Sequence, residues 1–402
     1  MFLSINKIEE YLASVLCFFL IYNIAFTALP IATTARVTLV VGLLYIGLFK
    51  IPEFLRNFSN TKVVILLFLP GLYALPLFMT SGDYGVIARF LNLYLYAVVG
   101  SAIIVTLISN FERTLLIVFG CIVLQAFFIW LSFLSFGFKS FLDQNIISGA
   151  NYDVFNIYRA SGLSGLSGAS LSVIQSLGVM VIWLYSRLDK NFSTLEQVFI
   201  YCGTFLVITS IIIVGRTGLF LAGIFLLFIF FNSGLSIFRK IQILIFSAVI
   251  AVIGFLNLDK LLPDGFELNW FLGWLTGAFS NNETTNFLIT NFPEFNLQLL
   301  YGSGQVSLVD GANPSGSDSG YGQFFFAYSL PMGIFFYGAY IYTLFRITKY
   351  SSLFGRIILT LVIFILDFKE PFLMKYAMFT ILMIFYLAYL KALSNGVSKL
   401  KF

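Results

Sequence analysis

Apolar residues in this chain come in runs of membrane length, separated mostly by short polar stretches. The runs lie at about Tyr11–Leu29, Ala35–Phe49, Val63–Met79, Phe90–Ile108, Thr114–Phe136, Ala169–Tyr185, Val198–Val214, Thr217–Phe231, Ile241–Leu256, Phe324–Leu344, Ile357–Leu366 and Phe372–Leu390. Judged against the roughly 20 apolar residues that cross a bilayer, they predict about twelve transmembrane helices. Two polar intervals are longer than a turn. The first, 137–168, contains NYDVFNIYRASGLSGLSG, and the second spans 257–323. Within the second, FELNWFLGWLTGAF sets Trp270 and Trp274 four apart, which predicts a helix lying at the membrane–water interface. Thr285–Tyr301 predicts another short helix, bent at Pro293. The chain therefore divides into 1–256 with nine spans, a large loop at 257–323, and 324–402 with three spans and a tail.

Composition agrees with this division. Mean hydropathy is +0.96, and 59% of residues are hydrophobic against 10% charged, a balance that excludes a soluble globular domain. There is no histidine, so the usual general base and the commonest metal ligand are both missing. With no DxD pair and no acidic cluster at ligand spacing, no metal or other cofactor is expected. No P-loop is present, so ATP-driven work is unsupported, and no nucleic-acid partner is expected. Cys17, Cys121 and Cys202 lie in apolar runs and read as packing residues. The first run, lacking a clear small-residue cleavage site and followed at once by another span, reads as a span rather than a cleavable signal.

Lys and Arg set an orientation. With the N-terminus in the cytoplasm, fifteen of the 23 basic residues and six of the 18 acids fall inside, leaving eight and twelve outside. The inner side carries +9 and the outer side −4, the positive-inside pattern. The inner loops are short, so any chemistry is expected on the outer face.

The stretch Gly302–Gly333, GSGQVSLVDGANPSGSDSGYGQFFFAYSLPMG, is where the outer loop returns to the membrane. Six glycines between Gly302 and Gly322 allow positive φ and close approach to a ligand. Asp318 is the carboxylate singled out here, lowered toward a site by the loop; a turn-forming Asp in SDSG is the competing reading. Ser319, Tyr321 and Gln323 are candidate substrate contacts beside it. Among the outer cations, Arg216 in VGRTG lies 16 residues from the inner-side Asn232. At about 1.5 Å per residue that is roughly 24 Å, short of a core of about 30 Å. Arg216 is thus expected below the outer surface in a polar cavity, in preference to snorkelling, because a buried ionisable group is costly without a use. Arg159 precedes ASGLSGLSGAS, whose small residues suit close helix packing or room for a lipid-linked substrate; both readings stay open. In DFKEPFLMK, Lys369 could be a surface ion pair with Asp367 or Glu370, and Lys375, placed inside the last span, is the better candidate. Arg36 and Arg89 read as snorkelling residues, and Lys139 and Lys260 as loop charges. Outer-face cations of this kind suit a phosphate or pyrophosphate.

VGRTG, the long outer loop with GSGQ, SDSGYGQFFFAYSLPMG and the DFKEPF turn together resemble the Wzy-type O-antigen and capsular polysaccharide polymerases, which belong with the O-antigen ligases. The resemblance covers the whole length in topology and is sharpest from Gly215 to Gly333. It implies an all-α polytopic, GT-C-like fold in the bacterial inner membrane, with no metal and no nucleotide sugar. The implied activity is inverting transfer between undecaprenyl-pyrophosphate-linked oligosaccharides at the periplasmic face, among membrane lipids and with a chain-length regulator as a further partner. Arg159 matches the family's arginine in the first large outer loop and Arg216 its mid-chain membrane arginine. Asp318 and Ser319 stand where related ligases have a histidine. The second-loop arginine of the family is absent, with only Lys260 there; Lys375 or Lys369 is the expected replacement. A flippase for the same lipid-linked unit and an O-antigen ligase are the competing classes; the long outer loop and the lack of detectable halves argue against the first, and the missing histidine against the second.

Overall fold

The computed structural model describes residues 5–59, 62–147, 160–186, 193–232, 238, 241, 297–306, 314–317, 319–349 and 353–394. Every regular element among them is a helix. Seven helices are long and apolar enough to cross a membrane: Lys62–Ser81, Tyr84–Leu107, Phe111–Leu134, Gly168–Tyr185, Thr194–Val214, Leu330–Ile347 and Tyr376–Ser394. A bent pair, Thr34–Phe49 with Ile51–Ser59 at 115°, makes an eighth if read as one span. The chain is a multi-pass membrane protein. The expected Ile241–Leu256 span, the Trp270–Trp274 helix, Arg159 and Asp318 lie outside the described residues.

The chain forms two units. The first draws on Met1–Asn23, Ala32–Val118 and Glu283–Lys399. It holds α1 (Ile5–Tyr22), α2 (Thr34–Phe49), α3 (Ile51–Ser59), α4 (Lys62–Ser81), α5 (Tyr84–Asn92) and α6 (Ser101–Leu107). A π-helical stretch, Leu93–Gly100, joins α5 to α6. Its α1 ends at Tyr22, earlier than the apolar run suggests, at Asn23 with φ 39°. Two sets of polar contacts mark the unit's ends. At one end buried Glu9 meets Lys50 at 3.1 Å and the Tyr45 hydroxyl at 3.1 Å. There too Lys391 donates to the Val105 and Ile108 carbonyls at 2.9 and 2.7 Å, and Asn57 of α3 donates to Thr106. At the other end Asn23 caps Ala35, and Asp83 caps α5 through the Gly85 amide at 2.7 Å. Both ends satisfy groups that apolar surroundings leave costly.

The expected Phe324–Leu344 span is two helices, α13 (Gly320–Tyr328) and α14 (Leu330–Ile347), after the short α12 (Leu297–Tyr301). Proline explains the correction. Pro331 has no N–H to give the Ala327 carbonyl four residues back, and its ring would crowd it. The chain breaks instead at Ser329, with φ 100° and ψ 156°, where the Ser329 hydroxyl caps α14 at the Met332 amide. The two carbonyls left open are filled by the polar loop: Ser303 N–H donates to Phe326 at 2.7 Å and Gly304 N–H to Ala327 at 2.9 Å. Gly302 and Gly304, at φ +79° and +69°, are what bring the loop this close. A Cβ at Gly302 would sit 2.8 Å from the Ala327 carbonyl oxygen, and one at Gly304 would sit 2.7 Å from that of Leu77. At these two positions the glycine freedom expected to serve a ligand serves backbone packing. After α14 come α15 (Leu353–Asp367) and α16 (Tyr376–Ser394).

The second unit takes in Ile24–Ile31, Phe119–Asn282 and Leu400–Phe402. It holds most of α7 (Phe111–Leu134), then α8 (Phe136–Asn145), α9 (Gly168–Ser186), α10 (Thr194–Val214) and α11 (Arg216–Asn232). Part of the first polar interval is thus helical: Ser135 caps α8 at the Phe138 amide. A capping box between Ser193 and Glu196 starts α10. α11 lies directly on α9. The Gly218 amide donates to the Ser172 hydroxyl at 3.0 Å, and a Cβ on Gly218 would fall 2.1 Å from the Ser172 carbonyl oxygen. Gly168, near the end of the Gly/Ser run after Arg159, and Ser172, two residues beyond that run, lie against VGRTG.

Candidate functional site

A buried carboxylate organises one end of the first unit. Asp367, the last residue of α15, is 0% exposed. One oxygen accepts the Tyr337 hydroxyl at 2.9 Å, and the other accepts the Leu373 amide at 2.9 Å. Tyr340 in turn donates to the Leu373 carbonyl. The DFKEPF turn is therefore folded around Asp367, with Phe372 N–H on Glu370 and Lys375 N–H on Phe372. That turn delays the last helix to Tyr376. Lys375 consequently stands in the turn and not inside the last span as its sequence position suggested.

The ion pairing of this turn also differs from expectation. Asp367 is no surface partner for Lys369, which is exposed. Glu370 pairs instead with Lys375, at 3.7 Å. The Lys375 ammonium also lies over the Phe372 ring, 5.6 Å from its centroid. Burial pushes its proton affinity down; Glu370 opposes that shift and Arg89 adds to it. Arg89 of α5 thus belongs to the same end, in the electrostatic range of Lys375, Asp83 and Tyr328. It was read from sequence as a snorkelling side chain, and it is half-buried.

The Gly/Ser-rich segment docks on this carboxylate. Gly320 opens α13 so close to Asp367 that a Cβ there would fall 2.5 Å from the carboxyl carbon and 2.6 Å from each oxygen. Tyr321 donates to the Phe364 carbonyl at 2.8 Å and stacks near Tyr337 and Phe368, with centroids at 5.0 and 5.2 Å. Burial, and then the Asp367 charge, push the Tyr321 hydroxyl well up, so it holds its proton and serves as a donor. Gln323 donates to the Ser317 carbonyl at 3.2 Å, and Ser319 N–H to the Ser317 hydroxyl at 3.2 Å. The Ser319 hydroxyl is buried, 1% exposed, and has no hydrogen-bond partner among the described residues. Farther along, Gly316 is at φ +66° with open space around it.

The structure thus brings Ser319, Tyr321, Gln323 and Lys375 to one place, around Asp367. Arg216 is the first residue of α11, in the second unit, directly after the extended Gly215. Asp367 was passed over as a mere neighbour of Lys369. Its only sequence signal is an acid at the very end of an apolar run with a proline four residues on. Asp83, which accepts the Val306 amide at 2.6 Å and so anchors the start of the polar loop, gave no signal beyond its place before a span. Among the described residues no three His, Cys, Asp or Glu side chains gather as a metal-holding group.

Fold and site together define an all-helical, multi-pass membrane protein with a buried polar cluster at one end of its bundle. No protein-family model matches the chain, and no curated protein matches it.

Proposed function

We propose that this protein is a polysaccharide polymerase of the inner membrane. In this reading it joins undecaprenyl-pyrophosphate-linked repeat units at the periplasmic face, on a GT-C-like scaffold of about twelve spans. The observation that carries it is the docking of Gly320 and Tyr321 onto the Asp367 end of α15, beside Lys375 and Arg89, at one end of an apolar bundle. Polar donors and cations are concentrated where a lipid-linked pyrophosphate would present its sugar.

The reaction needs few parts. The acceptor hydroxyl gives its proton to a carboxylate, for which Asp318 is the assigned base, and its oxygen attacks C1 of the donor sugar with inversion. The C1–O bond to pyrophosphate breaks and the pyrophosphate leaves as an anion. Cations stabilise that charge; in the first unit Lys375 is assigned to it, with Lys369 beside it, and Arg216 and Arg159 remain the candidates expected from sequence for the same role. A membrane cavity that holds both polyprenyl tails raises effective molarity. The test is polymerisation of purified lipid-linked repeat units by the purified protein, read as a ladder. Asp318→Asn keeps shape and removes basicity, so the ladder-forming rate is expected to drop roughly a hundredfold or more. Wild-type activity in that variant reduces Asp318 to a turn residue, and no ladder from the wild-type protein overturns the polymerase reading.

The orientation is part of the proposal. It is supported by the two polar ends of the first unit. Glu9, Lys50 and Lys391, all counted inside, meet at one end, whereas Asp83, Arg89, Glu370 and Lys375, all counted outside, meet at the other. A chain with its three cysteines replaced by serine and carrying Ser307→Cys should react with an impermeant maleimide in intact spheroplasts. Labelling only after lysis inverts the topology.

A further inference from the structure

In the second unit the chain reaches membrane depth at a place where it is not helical. Contacts along three helices fix the levels. A Cβ on Gly203 of α10 would fall 2.8 Å from the Val123 side chain of α7, and farther along Trp130 donates to the Thr209 hydroxyl at 2.9 Å. α10 therefore runs parallel to α7. α9 runs the other way, with Gly178 facing Val207 and Gly168 facing Gly215. Its start is thus level with the Leu134 end of α7. Residues 160–167, just before it, have no regular structure, yet they begin deeper. Gln125 Nε2 donates to the Ser161 carbonyl at 2.8 Å. Gly162, at φ +58°, is so close to α7 that a Cβ would fall 3.0 Å from the Ile129 nitrogen. Ile129 and Gln125 stand five and nine residues before Leu134, roughly 8 and 14 Å at about 1.5 Å per residue. From that level the chain climbs to Gly168, and α9 then carries it back down.

Irregular backbone at such depth is tolerated only where protein buries it or where it lines a water-filled cavity. Burial alone does not account for this segment. Ser161, Leu163 and Gly165 are half-buried, alternating with buried Ala160, Gly162 and Ser164. Among the described residues, nothing meets the amides of Ser161, Gly162 and Leu163 or the carbonyls of Gly162 and Leu163. Kept dry, each such group would cost roughly 2–7 kcal/mol. We propose that residues 160–167 form a re-entrant segment lining a water-filled cleft, which opens at the Leu134 end of α7 and reaches the level of Gln125. The stretch ASGLSGLS carries no ionisable side chain. The ligand it suits is therefore neutral and rich in hydroxyls, since peptide groups and serine hydroxyls offer both donors and acceptors. The ligand assignment rests on the polymerase reading, under which the cleft takes the sugars of a repeat unit and leaves the pyrophosphate to the cations.

The cleft is tested by labelling, with no assay of turnover. Lysed membranes open both faces to reagent, so the result does not depend on orientation. In a chain otherwise free of cysteine, Ser161→Cys and Leu163→Cys should react with a charged methanethiosulfonate several-fold faster than Phe127→Cys. Phe127 is 51% exposed on α7 and lies between Gln125 and Ile129, at the same depth. A thiol facing hydrocarbon there stays protonated and unreactive, whereas one in water ionises and attacks. Rates at both positions no faster than at Phe127→Cys overturn the cleft. If one of the two variants does not fold, the other carries the test; if neither folds, the segment is packing and the cleft is likewise overturned. In the same membranes, purified lipid-linked repeat unit should slow the labelling of Ser161→Cys several-fold, and undecaprenyl pyrophosphate without sugar should not. No slowing by the repeat unit overturns the ligand assignment. Equal slowing by both does so too, and gives the site to the pyrophosphate or its lipid. Fast labelling with no ladder from the wild-type protein sinks the polymerase reading and keeps the cleft.

Discussion

Arg216→Ala should lower the rate of polymerisation by roughly a hundredfold or more in an assay with purified lipid-linked units, with Arg216→Lys restoring only part of it. The reason lies in where α11 starts. Arg216 is its first residue, 16 residues from Asn232 at the far end, which at about 1.5 Å per residue spans roughly 24 Å, less than the roughly 30 Å of the hydrocarbon core. On the proposed polymerase reading the Arg216 side chain is expected below the outer surface, where a charge-assisted bond to a departing pyrophosphate would be stronger than in water. Lysine brings the charge without the planar fork, so it neutralises but does not orient. Normal polymerisation by Arg216→Ala moves the pyrophosphate site elsewhere, and Arg159 with Lys375 becomes the pair to replace next.

Gly218→Val should prevent the second unit from assembling. The obstacle at Gly218 is main chain: a Cβ would fall 2.1 Å from the Ser172 carbonyl oxygen and 2.4 Å from its carbon. No rotamer change relieves that, so α9 and α11 must part, losing the Gly218–Ser172 hydrogen bond and the packing between them. Ordinary overpacking costs about 1–3 kcal/mol, and a backbone obstacle at this distance belongs at or above the top of that range. Gly223 of the same helix has open space around it among the described residues, so Gly223→Val serves as the matched control. The measurement is the yield of monodisperse protein after detergent extraction. Equal yields from the two variants contradict the contact.

The two glycines show what sequence could and could not disclose. Both sit in one apolar run, and nothing local separates them; the difference is a neighbour 46 residues upstream. The apolar runs themselves were legible because hydrocarbon demands a continuous length of apolar helix, and Lys62–Ser81 and Thr194–Val214 lie within a few residues of expectation. The break at Ser329 was also within reach, since Pro331 stands in the middle of the expected span. It was missed because hydropathy ignores which carbonyl loses its donor. At the polar cluster, Ser319, Tyr321, Gln323 and Lys375 had been singled out by composition. Asp367 was not, because a carboxylate that reads as a surface charge in one dimension was buried by a helix start from 47 residues earlier. Long-range contacts of this kind leave no local trace.

Ser303 and Gly304 donate to Phe326 and Ala327, and this pairing has a consequence for how the chain tolerates change. Both donors are main-chain amides, which every residue but proline carries. Position 303 can therefore change to any residue that keeps its N–H, whereas Gly304 is held by its approach to the Leu77 carbonyl. The broken helix is tied by one interchangeable residue and one fixed one.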